Sequence, residues 1–167
     1  MNIRLANNKD INGINELFHS VIEDLNNIKR VDMLWGDVYP FCEFETDISN
    51  NEMYVIEKDN IIIGSFVLSD YDDPDYHNID WTSNKKKWFY LNRLAILPSE
   101  QGKGYAKKAM EFIQKYANDN KYDCIRLTVY NKNKYAIRLY EKLGFKKIEK
   151  GNWQLEDKVF VGYEKYI

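Results

Sequence analysis

Gln101-Gly102-Lys103-Gly104-Tyr105-Ala106 is the stretch whose reading decides the fold. Two glycines let the main chain bend without a Cβ clash and let its N–H groups converge on one point. A helix begins at once, because Ala106, Ala109, Met110, Ile113 and Ala117 recur on one face at the helical period. The first turn of any helix leaves its N–H groups unpaired and carries roughly half a positive charge, which suits a phosphate. The turn does not fit a Walker loop, since Gly104 is not followed by Lys-Ser/Thr.

Outward from this turn, the elements alternate. Trp88 to Leu97 is nearly continuously apolar, as a central strand covered on both faces requires, and Pro98 stops it. After the helix of residues 104 to 118, Cys124 to Tyr130 reads as another strand. A helix from about Asn133 to Leu143 ends at Gly144, the residue type best able to take the left-handed position after a helix. Phe145 to Glu149 and Val159 to Glu164 read as two closing strands around a loop containing Gly151 and Trp153. A dinucleotide-binding unit over residues 88 to 130 is disfavoured, because the turn lies mid-chain after a hairpin and no acidic ribose ligand ends the next strand.

The N-terminal half is read by the same rules. Residues 2 to 6 alternate like a strand, and Asn7, Asn8 or Asp10 can cap a helix built on Ile11, Ile14, Leu17, Phe18, Val21, Ile22 and Leu25. From Lys29 to Pro40 the residues Met33, Leu34, Trp35, Val38 and Tyr39 show no period; such an aromatic loop is a core plug or a ligand wall. Phe41 to Ile48 reads as a short helix. Met53 to Glu57 and Ile61 to Leu68 read as a hairpin through Lys58-Asp59-Asn60. Residues 69 to 84, with Asp70, Asp72, Asp73, Asp75 and Asp80, read as a long polar loop whose carboxylates are solvated by default.

Composition narrows the function. The chain has 167 residues, 44% hydrophobic and 30% charged, which fits one soluble domain over residues 1–167. A net charge of −2 argues against a general nucleic-acid or anionic-membrane binder, and Lys85 to Lys87 reads as a solvated run. No apolar run reaches the roughly 18 residues of a membrane span, and no secretory leader is visible, so a cytoplasmic location is expected. Cys42 and Cys124 make no C-x-x-C pair; Cys124 opens an apolar strand and reads as a buried thiol. His19 and His77 lack ligand spacing, so no metal is expected.

Three features coincide. Gln101-x-x-Gly104-x-Ala106 matches a Gln/Arg-x-x-Gly-x-Gly/Ala pyrophosphate loop, Ile96-x-Pro98 precedes it at the usual distance, and Asn133-x-x-Ala136-x-x-x-Tyr140 runs into Glu141-Lys142-Leu143-Gly144-Phe145. In these the chain resembles the GCN5-related N-acetyltransferase (GNAT) family, most specifically over residues 88 to 146. The resemblance implies an α/β fold with a central, mostly antiparallel mixed sheet, a splayed parallel strand pair and about four flanking helices. It implies acetyl-CoA as co-substrate, with pantetheine along Leu94-Ala95-Ile96 and pyrophosphate on the N–H groups of Gln101, Gly102, Lys103, Gly104, Tyr105 and Ala106. A strand edge suits the two pantetheine amides, which need partners. The Leu94 N–H would polarise the thioester carbonyl.

Asn133, Ala136 and Tyr140 share a helix face. By the same resemblance Asn133 would hydrogen-bond the cofactor, Ala136 would let it approach, and Tyr140 would be the general acid for the leaving thiolate. Relatives often carry a Glu four residues ahead of the position of Ile96; here Asn92 stands there and cannot act as a base. Asp70, Asp72, Asp80 and Glu43 are the candidate carboxylates. Trp35, Tyr39 and Asn92 are the candidate acceptor-binding residues. The implied reaction is direct acetyl transfer to a primary amine of a small molecule or peptide, without nucleic acid or membrane partners. The alternatives are a non-catalytic CoA-binding or regulatory module, which Asn92 supports, and a nucleotide-binding domain. A homodimer through the C-terminal strand, with Tyr163 and Tyr166, is a further expectation.

Overall fold

The computed structural model describes residues 1–32, 34–84 and 86–167. The expectations that fall on Met33 and Lys85 therefore lie outside the described residues. The chain is an α/β protein whose described residues form eight strands in mixed, mostly antiparallel pairing and four α-helices, and it divides into two compact units.

The first unit comprises Met1–Leu68 and Asn92–Phe112. Strand β1 (Asn2–Leu5) pairs antiparallel with β2 (Met53–Lys58), and β2 pairs antiparallel with β3 (Ile61–Ser69). The β2–β3 turn is a two-residue one, with Asp59 and Asn60 both left-handed, as the twist of a tight hairpin demands. Helix α1 (Ile11–Glu23) buries Ile14, Leu17, Phe18 and Val21, the stripe the sequence shows. Before it, the Asn7 side chain accepts from the Lys9 N–H while Asp10 accepts from the Asn7 N–H, a reciprocal capping arrangement. Arg4 ties this cap to the sheet through Asp10 at 2.8 Å and Glu57 at 3.2 Å. Beyond Glu23 the helix widens into a π-turn, Asp24–Ile28. Helix α2 (Phe44–Ser49) follows a short 3-10 turn and buries Phe44, Asp47 and Ile48.

The second unit comprises Ser69–Leu91 and Ile113–Ile167. Strand β4 (Trp88–Ile96) and helix α3 (Tyr105–Asp119) each contribute residues to both units. Strand β5 (Cys124–Tyr130) pairs antiparallel with β8 (Lys158–Tyr166) over its whole length. Its parallel pairing with β4 covers only Trp88, Phe89 and Tyr90. Strands β6 (Lys146–Lys147) and β7 (Trp153–Leu155) also pair with β8. Helix α4 (Lys134–Lys142) runs between β5 and β6.

Three expectations change here. Residues 69 to 84 are not simply a solvated loop: Ile79 and Trp81 pack with Tyr90 and Ile148 in a buried cluster, and Ser83 is buried too. The acidic run masks this, because its two core anchors stand alone between charges. The buried Glu164 carboxylate accepts from the N–H and hydroxyl groups of both Thr82 and Ser83, and the Arg126 Nε–H donates to the Ser83 hydroxyl at 2.8 Å. The Arg126 guanidinium lies 4.9 Å from the Trp81 ring and 4.3 Å from that of Trp88, so the cation is enclosed by aromatic faces. Next, β6 is only two residues long and β7 is an extra strand, turned into β8 through the left-handed Glu156. Finally, of the two tyrosines expected at a contact through the C-terminal strand, Tyr163 is buried and Tyr166 is half exposed.

Candidate active site

The glycine turn begins where Pro98 ends β4. Pro98–Glu100 makes one 3-10 turn, and the Gln101 N–H donates to the Pro98 carbonyl at 3.2 Å, so that amide is already used. The Gln101 side chain braces the loop from both ends: its Nε2 donates to the Ile96 carbonyl at 2.9 Å, and its Oε1 accepts from Lys29 Nζ at 2.7 Å. Lys29 is in turn 2.5 Å from the Asp24 carboxylate.

Gly102 and Gly104 then adopt φ of +76° and +86°, conformations that any side chain would strain. A Cβ at either would meet nothing within 4 Å, so the surface above the turn is open. Among the described residues no acceptor is hydrogen-bonded to the backbone N–H groups of residues 102 to 107; the next amide, Lys108, bonds the Gly104 carbonyl at 3.1 Å. Unpaired amides at the head of a 15-residue helix form an anion-binding surface. Glu100, the acidic group beside it, is neutralised by Lys103 at 3.1 Å and Lys58 at 3.4 Å, which hold its carboxyl below the usual range. The donor set and open backbone therefore fit a diphosphate.

Within β4 the surprise is Arg93. Its φ is +50°, and among the described residues it is the one left-handed non-glycine inside a strand. For a residue with a side chain that conformation costs about 1–2 kcal/mol. Arg93 Nη2 lies 2.5 Å from Asp47 Oδ1, and its Nη1 is 3.4 Å from the Tyr39 hydroxyl. Burial raises the Asp47 carboxyl to about 6 despite the pull of Arg93, with Glu43 and Glu52 adding to the rise. Burial works against the Arg93 charge, but Tyr39 and Asp47 together hold its guanidinium above its ordinary value. On the same strand Asn92 and Leu94 are half-buried, and Ala95 and Ile96 are buried.

The second unit supplies the other motif. The Asn133 side chain caps α4, accepting from the Ala136 N–H at 3.1 Å, so its carbonyl end serves its own helix. One turn on, Tyr140 is buried with its ring 5.6 Å from Phe145. Its hydroxyl has no hydrogen-bond partner among the described residues, and burial pushes the phenol above its ordinary value. Gly144, at φ +88°, ends the helix, and the Phe145 N–H closes onto the Tyr140 carbonyl at 3.0 Å.

The remaining candidates scatter. Trp35 packs on Phe18 at 5.2 Å, so part of it plugs the core, and Tyr39 reaches Arg93. Asp70 accepts from the Tyr122 hydroxyl at 2.9 Å, Asp72 pairs with His77 at 3.1 Å, and Asp80 is exposed. Glu43 is half-buried beside Cys42. The carboxylate missing from those candidates is Asp47. Its position three residues after Phe44 and one before Ile48 places it on the apolar face of α2, and that was the available signal.

A model of the Acetyltransferase (GNAT) family matches residues 18–145, which include the glycine turn and Tyr140. The chain belongs to the GNAT acetyltransferase family. It is accordingly an acyltransferase, of a family that uses acetyl-CoA. The fold agrees with solved GNAT structures. A GNAT acetyltransferase of Streptococcus agalactiae is 24% identical, with TM-score 0.82 over 99% of this chain and 95% of that one. A GNAT acetyltransferase of Listeria monocytogenes is 19% identical, with TM-score 0.76 over 99% and 94%. The yncA protein of Salmonella typhimurium, solved with its cofactor acetyl-CoA, is 16% identical, with TM-score 0.65 over 99% and 93%. No curated protein sequence matches the chain. No helix among the described residues is long and apolar enough to cross a membrane.

Proposed function

We propose that this GNAT acyltransferase moves an acetyl group from acetyl-CoA directly to a primary amine of a small molecule or peptide. The observation that carries the reading is the glycine turn, with its unpaired amides at the head of α3 and open space above both glycines. The N–H groups of residues 102 to 106 bind the pyrophosphate, while Gln101 braces the loop rather than donating its own N–H. Pantetheine pairs along Leu94, Ala95 and Ile96, and the Leu94 N–H polarises the thioester carbonyl. Bound acetyl-CoA supplies the activated acyl group.

Tyr140 donates to the sulfur as the thiolate leaves. A phenol with an ordinary value near 10, raised further by burial, is protonated at neutral pH. Full proton transfer to a thiolate of reference pKa about 8.5 is uphill, so a strong hydrogen bond, completed by solvent protonation after release, accounts for its role. The acceptor enters by Trp35, Tyr39 and Asn92. An amine of pKa about 10.4 costs roughly 4–5 kcal/mol to deprotonate at pH 7, and Asn92 cannot take that proton, so the reading favours an amine of lower pKa or a water relay.

The test is a thiol-release screen with acetyl-CoA against a broad panel of small amines and peptides, beside calorimetry of acetyl-CoA binding. Saturable thiol release with at least one amine, and a mass increase of one acetyl group on it, is the expected result. Binding with no release across the panel is the behaviour of a non-catalytic CoA module and would overturn the reading.

A further inference from the structure

Arg93 is the point where two unfavourable features meet. Its backbone is left-handed in mid-strand, and its partner Asp47 is almost wholly buried, with 5% of its side chain exposed. The pair is also incompletely satisfied: Asp47 Oδ2 and Arg93 Nε are buried without a hydrogen-bond partner among the described residues. A buried ion pair with leftover polar atoms is a poor source of stability. Backbone strain of this kind persists only where surrounding groups over-determine it. Here those groups come from α2 and from the aromatic segment before it, which meet the guanidinium through Asp47 and Tyr39.

The next residue gives the arrangement a purpose. An extended strand has ψ near +135° and a left-handed residue near +47°, so the following peptide plane turns by about 90°. That plane carries the Leu94 N–H. We infer that Asp47 and Tyr39 clamp the Arg93 side chain so that residue 93 stays left-handed and the Leu94 N–H is aimed at the acyl carbonyl. Arg93 and Asp47 are thus positioning residues that act through backbone direction and touch neither donor nor acceptor. The inference rests on the reading that Leu94 receives the thioester carbonyl.

The experiment is isotope-edited infrared spectroscopy of acetyl-CoA, carbon-13 labelled at the acetyl carbonyl, bound to the full chain and to Arg93→Ala, Arg93→Gly and Asp47→Asn. The wild-type protein should lower the carbonyl stretch relative to free acetyl-CoA. Arg93→Ala should lose most of that shift and at least tenfold in kcat, with the acetyl-CoA Kd changed by less than about threefold. Arg93→Gly should recover most of the shift, because glycine takes φ near +50° without its side-chain partner. A full shift in Arg93→Ala would overturn the inference, as would equal loss in Arg93→Ala and Arg93→Gly. If Arg93→Ala does not fold, Asp47→Asn decides: a weakened shift supports the clamp, and an unchanged shift defeats it. Failure of the wild-type protein to bind acetyl-CoA would remove the acetyl-CoA reading, and binding with an unshifted wild-type carbonyl would remove the Leu94 contact on which the clamp rests, whereas a shifted wild-type carbonyl left intact in the variants would remove the clamp alone.

Discussion

Tyr140 is a phenol whose ring is packed and whose hydroxyl has no hydrogen-bond partner among the described residues, which is what its proposed role at the thiolate requires. Removing an unpartnered hydroxyl costs no internal hydrogen bond. Tyr140→Phe is therefore expected to keep or slightly raise stability in urea unfolding. Acetyl-CoA binding by calorimetry should change by no more than a few-fold, while turnover falls by about 100-fold or more. Tyr140 was legible because its motif lies within eight consecutive residues of one helix and its cap. Asn133 was legible as a motif position, yet its carbonyl end turns inward to cap α4, a use that becomes visible only with the helix start placed at Lys134. Arg93 was not legible at all, since a left-handed arginine inside an apolar strand breaks the local preference that sequence reasoning uses.

Among the elements, the loop between β6 and β7 shows most sharply how one residue type can be required by a neighbour far along the chain. Gly151 has φ +82°, and a Cβ there would lie 1.9 Å from the Asn78 carbonyl oxygen and 2.8 Å from the Ile79 Cα. Backbone atoms cannot yield as a flexible side chain does. Gly151→Ala should lower the stability of the protein by at least about 2 kcal/mol, combining left-handed strain with overpacking. Urea unfolding of the purified variant checks this; a loss under about 0.5 kcal/mol would show that the 76–79 segment is not held against this loop. The sequence displayed the glycine but not its partner, and it therefore left residues 69 to 84 as a solvated run. Helices α1 and α3 and the β2–β3 hairpin were legible because their signals are periodic or sit at adjacent positions.

At the level of the whole molecule, the buried acids make folding depend on pH in opposite senses. Asp47 has a folded value raised to about 6, chiefly by burial, above an ordinary carboxylate value of about 3.9. Its contribution is therefore fully present below about pH 4 and is lost as pH rises through about 6. Asp10 behaves the other way: the hydrogen bonds from Arg4 hold its carboxyl below the usual range, so its contribution is present above about pH 4 and is lost as pH falls. Asp47→Asn should remove the decline between pH 4 and 6 and leave the acid limb intact. Urea midpoints measured from pH 3 to 8 for both proteins check it; parallel curves across pH 4 to 6 would show that Asp47 titrates normally.

The sequence by itself determined the elements, the glycine turn, the Asn133-to-Tyr140 helix face and, through them, the family, because each is written in residues close enough to be governed by local backbone and helical geometry. Only the tertiary structure decided that Gln101 braces its loop, that Arg93 is held left-handed by a carboxylate 46 residues away, and that Ser83 is fixed by Glu164 across 81 residues. Those interactions depend on desolvation and on pairing between distant segments, and neither leaves a periodic mark in the chain.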